Sequence, residues 1–149
     1  MDHATARALG RILCGEVALT RAAALLARRL RTPRHRGMAQ VVMETSAANT
    51  STLMLHLRCI RTADVGPRAR FVLWLAGMAL RLGDRWALRF LALRLRRQRE
   101  LTRQALLVVD ASAHELLFSR LVPSSRLARL VLRGDPVQGL IGGQAVASS

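Results

Sequence analysis

The sequence predicts an all-α protein. Ala, Leu and Arg dominate long stretches in which apolar residues recur every three to four positions. Proline and glycine breaks fall in a few clusters, and no alternating apolar run is bounded by turn dipeptides. At 149 residues the chain is long enough for one core that buries about two-thirds of its unfolded surface. Residues 1–133 are therefore expected to form a single helical domain, with the Gly-rich stretch 134–149 a flexible tail.

The first helix is expected over 4–31, with Leu9, Ile12, Leu13, Leu19, Ala23 and Leu26 on one apolar face. Thr32 to Gly37, with Pro33 inside it, reads as its terminator. A second helix follows from Met38 to about Cys59. Its middle, Ser46 to Thr52, is polar and a mediocre helix former, so tertiary packing has to support it. Arg61 to Gly66 reads as a linker, and Pro67 suits the first turn of the next helix.

That third helix holds the stretch Phe71 to Leu82, whose only charge is Arg81. At 1.5 Å per residue it reaches roughly 18 Å, too short for a hydrocarbon core of about 30 Å. It is either a buried core helix or one lying in a membrane surface. Gly83-Asp84 breaks the chain, with Asp84 an N-cap candidate for a fourth helix over 85–109. Arg81, Arg85, Arg89, Arg96 and Arg103 recur at spacings of four and seven, which puts them along one flank. Ser112 and Glu115 are spaced as a capping box, so a helix is expected to restart there and run to Leu121. Pro123 and the serines after it should interrupt that helix, leaving Arg126 to Arg133 as a short basic one.

All 24 basic residues are arginine, against nine acids, for a net charge of +15. Such a balance favours anionic partners, either a phospholipid surface or nucleic acid. Five aromatic residues and no tyrosine argue against base stacking. Arginine interleaved with leucine along nearly every helix gives an apolar floor edged by guanidinium groups, the pattern of a helix in a lipid interface. The bland reading of the same pattern is a solvated face on an ordinary bundle. Cys14 and Cys59 fit small core positions and no CxxC, and the N-terminus has no apolar run of signal-peptide length, so a cytoplasmic location is expected.

For acid-base or metal chemistry the sequence offers little. A two-iron site in a bundle draws carboxylates from all four helices, with Glu-x-x-His on two of them, and no Glu-x-x-His occurs here. Asp110 and His114 are four apart. Glu16 and Glu44 sit in otherwise apolar helices and are expected to pair with arginine, Glu16 with Arg21 or a neighbour across the bundle.

Two segments resemble one family, the ferritin-like di-iron demethoxyubiquinone hydroxylases of ubiquinone biosynthesis. Gly15-Glu16 followed by Arg21 matches a pair near the start of that fold. Pro67, Trp74, Gly77, Ala79, Leu80 and Gly83 look like the segment by which the family lies on the membrane. The resemblance spans residues 9 to 105 and implies a ferritin-like bundle with an inserted short amphipathic helix. The family's second-helix Glu-x-x-His falls near Asn49 and Thr52, its third-helix glutamate near Leu95 or Glu100, and its last Glu-x-x-His has no counterpart. Only Glu16 matches, so the resemblance implies the scaffold without its metals.

The resulting expectation is a non-catalytic bundle, without cofactor, lying on the inner face of a bacterial membrane. Phe71, Leu73, Trp74, Met78, Arg81, Arg85 and Arg89 would face the membrane. The partners would be the anionic surface and either a quinone-like lipid or a membrane enzyme complex, with homo-oligomerisation open. Two alternatives stand beside it. One is an active two-iron hydroxylase using Glu16, Glu44, Glu100, Asp110 and His114, and the other is a basic nucleic-acid-binding protein.

Overall fold

In the computed structural model, residues 1–58 and 67–134 are described. The expected linker Arg61 to Gly66, Cys59, and the expected tail beyond Gly134 lie outside them. Helix α1 (His3–Arg29) is started by Asp2, whose side chain accepts from the amide of Ala4 at 2.9 Å, and it ends with Arg28 and Arg29 against the negative end of its dipole. Helix α2 (Pro33–His56) begins earlier than expected. Pro33 opens it, because a first-turn residue needs no amide donor, so the presumed terminator Thr32 to Gly37 is mostly helix. Its polar middle is satisfied from within: Thr45, Thr50, Ser51 and Thr52 each donate a hydroxyl to the carbonyl four residues back, at 2.9 to 3.1 Å.

Helix α3 (Pro67–Leu82) ends at Gly83, whose φ of 115° lies in a region side chains rarely enter. Helix α4 (Asp84–Leu106) follows at once. Asp84 is not its cap, contrary to expectation. It is the first helical residue, and its carboxylate reaches back to the turn between α1 and α2, accepting from the amides of Arg31 at 3.1 Å and Thr32 at 2.9 Å and pairing with His35 Nδ1 at 3.0 Å. Those bonds hold the Asp84 carboxyl below the usual carboxylate range. One carboxylate thereby ties the α3–α4 corner to the α1–α2 corner.

Beyond α4 the chain turns through Asp110, which caps α5 (Ala111–Leu116) by accepting from the amide of Ala113 at 2.9 Å. Asp110, rather than Ser112, is the cap. A π turn, Leu117–Leu121, joins α5 to α6 (Val122–Arg133) without a break. Pro123 does not interrupt the chain, because the wider turn just before it accommodates a residue that cannot donate and whose ring would crowd an α-helical carbonyl. Gly134 ends α6 in the left-handed conformation, φ 76°.

The four long arms close a ring in which α1 packs on α2 and α4, and α6 packs on the same two, with α3 laid across α1 and α4. Two apolar cores fill it. One gathers Leu19, Leu26, Leu30, Val42, Val72 and Leu91, and the other Leu9, Ile12, Leu53, Leu117 and Leu121. Cys14, placed in the core by sequence, is exposed. Replacing Asp84 with Ala should lower stability to urea by about 1 to 2 kcal/mol at neutral pH, the usual scale for losing a cap and its hydrogen bonds. Because the folded carboxyl is depressed, that difference should be present above pH about 4 and shrink as pH falls through its folded value.

Candidate functional site

Between the two apolar cores lies a layer of buried polar side chains: Glu16 from α1, Ser46 and Asn49 from α2, Gln98 and Thr102 from α4. Gln98 Nε2 donates to the Ile12 carbonyl at 2.8 Å, which holds the amide in place, and Ser124 of α6 donates to Asn49 Oδ1 at 2.7 Å. Gly15 makes room for this arrangement, because a Cβ at that position would push the Gln98 side-chain amide away. Glu16 is 3% exposed, and its Oε2 has no hydrogen-bond partner. Burial pushes its carboxyl up to about 7, and Ser46, Gln98 and Asn49 offset only part of that rise.

The expected arginine partner is absent. Arg21 is exposed, and among the described residues the ion pair found is that of His35 with Asp84. A buried acid with amide and hydroxyl neighbours avoids the cost of an unpaired charge by staying protonated up to about pH 7. Such a layer does not fit two metal ions, which need several anionic ligands. The other candidate ligands do not converge on it. Glu44 is exposed and bonded by Gln40, Glu100 is exposed and bonded by Gln104, and Asp110 caps α5. His114 is exposed and stacks on Phe118. Among the described residues no three His, Cys, Asp or Glu side chains gather as a metal site would require.

The second feature is on the outside. Ala69, Val72 and Ala76 bury one side of α3, and the opposite side presents Phe71, Trp74, Met78 and Leu82. Phe71 and Trp74 are each 58% exposed and stack at 5.9 Å between ring centroids. On α4, Trp86 and Leu93 are both more than half exposed, opposite that helix's buried side. Arg70, Arg81, Arg85 and Arg89 are exposed on these two helices, and the Arg89 guanidinium lies over the Trp86 ring at 5.3 Å. Beside the stripe, Trp74, Met78 and Arg81 border a hollow of about 470 Å³ with Arg29, Arg31 and Asp84.

Of the residues expected to face a membrane, Phe71, Trp74 and Met78 lie on the outer side of α3, and Arg81, Arg85 and Arg89 are exposed. Leu73 is not among them. Two helical steps turn it roughly 200° from Phe71, toward the packed side, and it is half-buried. Trp86 and Leu93 were missed, since the basic flank of α4 was read as arginines alone. A 3.6-residue period places Trp86 and Leu93 seven apart on that flank. Gln98 gives no signal in sequence, because a neutral amide carries no recognisable chemistry, and Asn49 stands out there only as the position near which the resembled family has its second-helix Glu-x-x-His.

Compared with protein-family models, curated proteins and solved structures, the chain matches none.

A folded carboxyl raised above its unfolded value destabilises as pH climbs. Below about 4.5 both states are protonated and nothing is lost, and the cost grows from there to about 7 and is then constant. Glu16→Gln should therefore leave stability unchanged at pH 4 and raise it by about 2 to 3 kcal/mol at pH 8, as measured by denaturant unfolding.

Proposed function

We propose that this protein is a helical bundle that lies on an anionic membrane surface through the exposed face of α3 and the start of α4. The observation that carries the proposal is the α3 stripe Phe71, Trp74, Met78 and Leu82 and the exposed Trp86 of α4, with Arg70, Arg81, Arg85 and Arg89 exposed on the same two helices. Large apolar patches on a water-facing surface are costly, and a patch edged by cations matches a headgroup layer over acyl chains. Tryptophan has the amphipathic ring suited to that boundary, and arginine stems lie along the apolar surface while their heads reach phosphate. Among the described residues no helix is long and apolar enough to cross a membrane, so the contact is in the plane of the interface.

The same proposal takes the bundle as a ferritin-like scaffold related to the quinone hydroxylases, without their metal chemistry. Support comes from the register: the position matched to the family's second-helix glutamate is Asn49, which is buried in the Glu16 layer beside Gln98. Neutral amides there leave a packing layer in place of a ligand set. On this reading the protein holds a quinone-like lipid or supports a membrane enzyme on the cytoplasmic face, and it performs no hydroxylation itself.

Vesicles containing a third phosphatidylglycerol separate this reading from a nucleic-acid one. The protein should sediment with them and stay bound more firmly than to duplex DNA as salt is raised, because apolar insertion is not screened. Trp74→Glu should weaken vesicle binding about tenfold or more, since it removes exposed apolar area and adds repulsion, with helix content and melting temperature little changed. Unfolding of this variant would mean that the stripe is core. Unchanged binding would remove α3 from the interface.

A further inference from the structure

On another part of the surface, α4 and α6 leave between them a groove of about 570 Å³. Five arginines line it, Arg99 and Arg103 from α4 and Arg126, Arg129 and Arg133 from α6, and among the described residues no carboxylate does. The spacings explain the convergence. Residues four apart on α4 share a face, as do residues three and seven apart on α6, and the two faces oppose each other.

None of the five takes part in an ion pair among the described residues. Arg129 is the deepest of them and only partly exposed, with its Nε donating to the Ser125 carbonyl at 3.3 Å. Its guanidinium is held below the usual range first by burial and then by Arg99, Arg133 and Arg126. Like charges crowded into a partly dry cleft are unfavourable until an anion enters. Phosphate suits that role, because each planar guanidinium can bond two of its oxygens at once. Leu106, Phe118, Val122 and Leu130 also line it, so the groove offers an apolar wall as well.

We propose that the α4–α6 groove is a binding site for clustered phosphate groups, with a free polyphosphate or the headgroup of an anionic lipid as the source. Five cations in one cleft match a multiply charged anion better than a monovalent one. The site is separate from the α3 stripe and does not depend on membrane association, so it can be tested in solution without vesicles.

Calorimetric titration of the full chain at low salt tests it, with inorganic tripolyphosphate in one arm and monomeric dioctanoyl phosphatidate in the other. At least one should bind near one per chain, and Arg129→Gln, Arg126→Gln and Arg103→Gln should each weaken it about tenfold. Arg11→Gln on α1 removes the same charge far from the groove and should change the affinity little. Tighter binding of tripolyphosphate would assign the site to a soluble anion, and tighter binding of phosphatidate to a lipid. Arg103→Gln, at an exposed position, keeps the test open if Arg129→Gln disturbs the fold. Binding of neither ligand, binding of duplex DNA alone, or an Arg11→Gln effect equal to that of Arg129→Gln would overturn the proposal.

Discussion

A carboxyl group closed among four packed helices costs several kcal/mol to ionise, and the interior is arranged so that Glu16 need not. Among the described residues no arginine is brought to it, although the chain has 24. Ser46, Asn49 and Gln98 surround it instead, with Gln98 pinned to the Ile12 carbonyl and Asn49 held by Ser124. The layer joins α1, α2, α4 and α6 at one level and separates two apolar cores. Gly15 lets the Gln98 side chain approach α1. Every arginine in the described residues is at least partly outside, where its charge stays hydrated.

That surface charge is unevenly answered. Among the described residues the one carboxylate in an ion pair is Asp84, spent on closing the α1–α2 turn. Among the described residues, the arginines along the α3 stripe and in the α4–α6 groove pair with no acid. Self-repulsion of this size opposes compactness, and a bound anion would relieve it. The two regions differ in kind. The stripe is open, with aromatic rings at its centre and cations at its edge, whereas the groove is concave with the cations inside it. A planar lipid surface suits the first, and a compact phosphate group suits the second.

Much of this was legible in the residues. The helical class, the stretch Phe71 to Leu82, the break at Gly83 and the basic flank of α4 all follow from period and punctuation. Breaks were read too literally. Pro33 opens α2 and Pro123 lies in a continuous arm, because a proline ends a helix only where its amide is needed and its ring has no room. Asp84 looked like a local cap, but its partners lie more than fifty residues away, and no local pattern encodes that. Glu16 was singled out correctly as an acid in an apolar face. The partner assigned to it was wrong, since sequence shows that a buried acid must be answered without showing whether a counter-charge or a proton answers it. The groove was hidden for a related reason: Arg99 and Arg103 lie on one helix and Arg126 to Arg133 on another, and only packing brings them together.

The central claim is that α3 lies in the membrane interface with Trp74 and Trp86 on the lipid side. The most direct measurement is tryptophan fluorescence in anionic vesicles whose acyl chains carry bromine at graded depths. Both tryptophans are more than half exposed, so emission should shift to the blue on binding, and bromines nearest the headgroups should quench it most. Emission unchanged by vesicles and unquenched at every depth, with the protein nevertheless bound, would contradict the claim and leave the α3 face to some other partner.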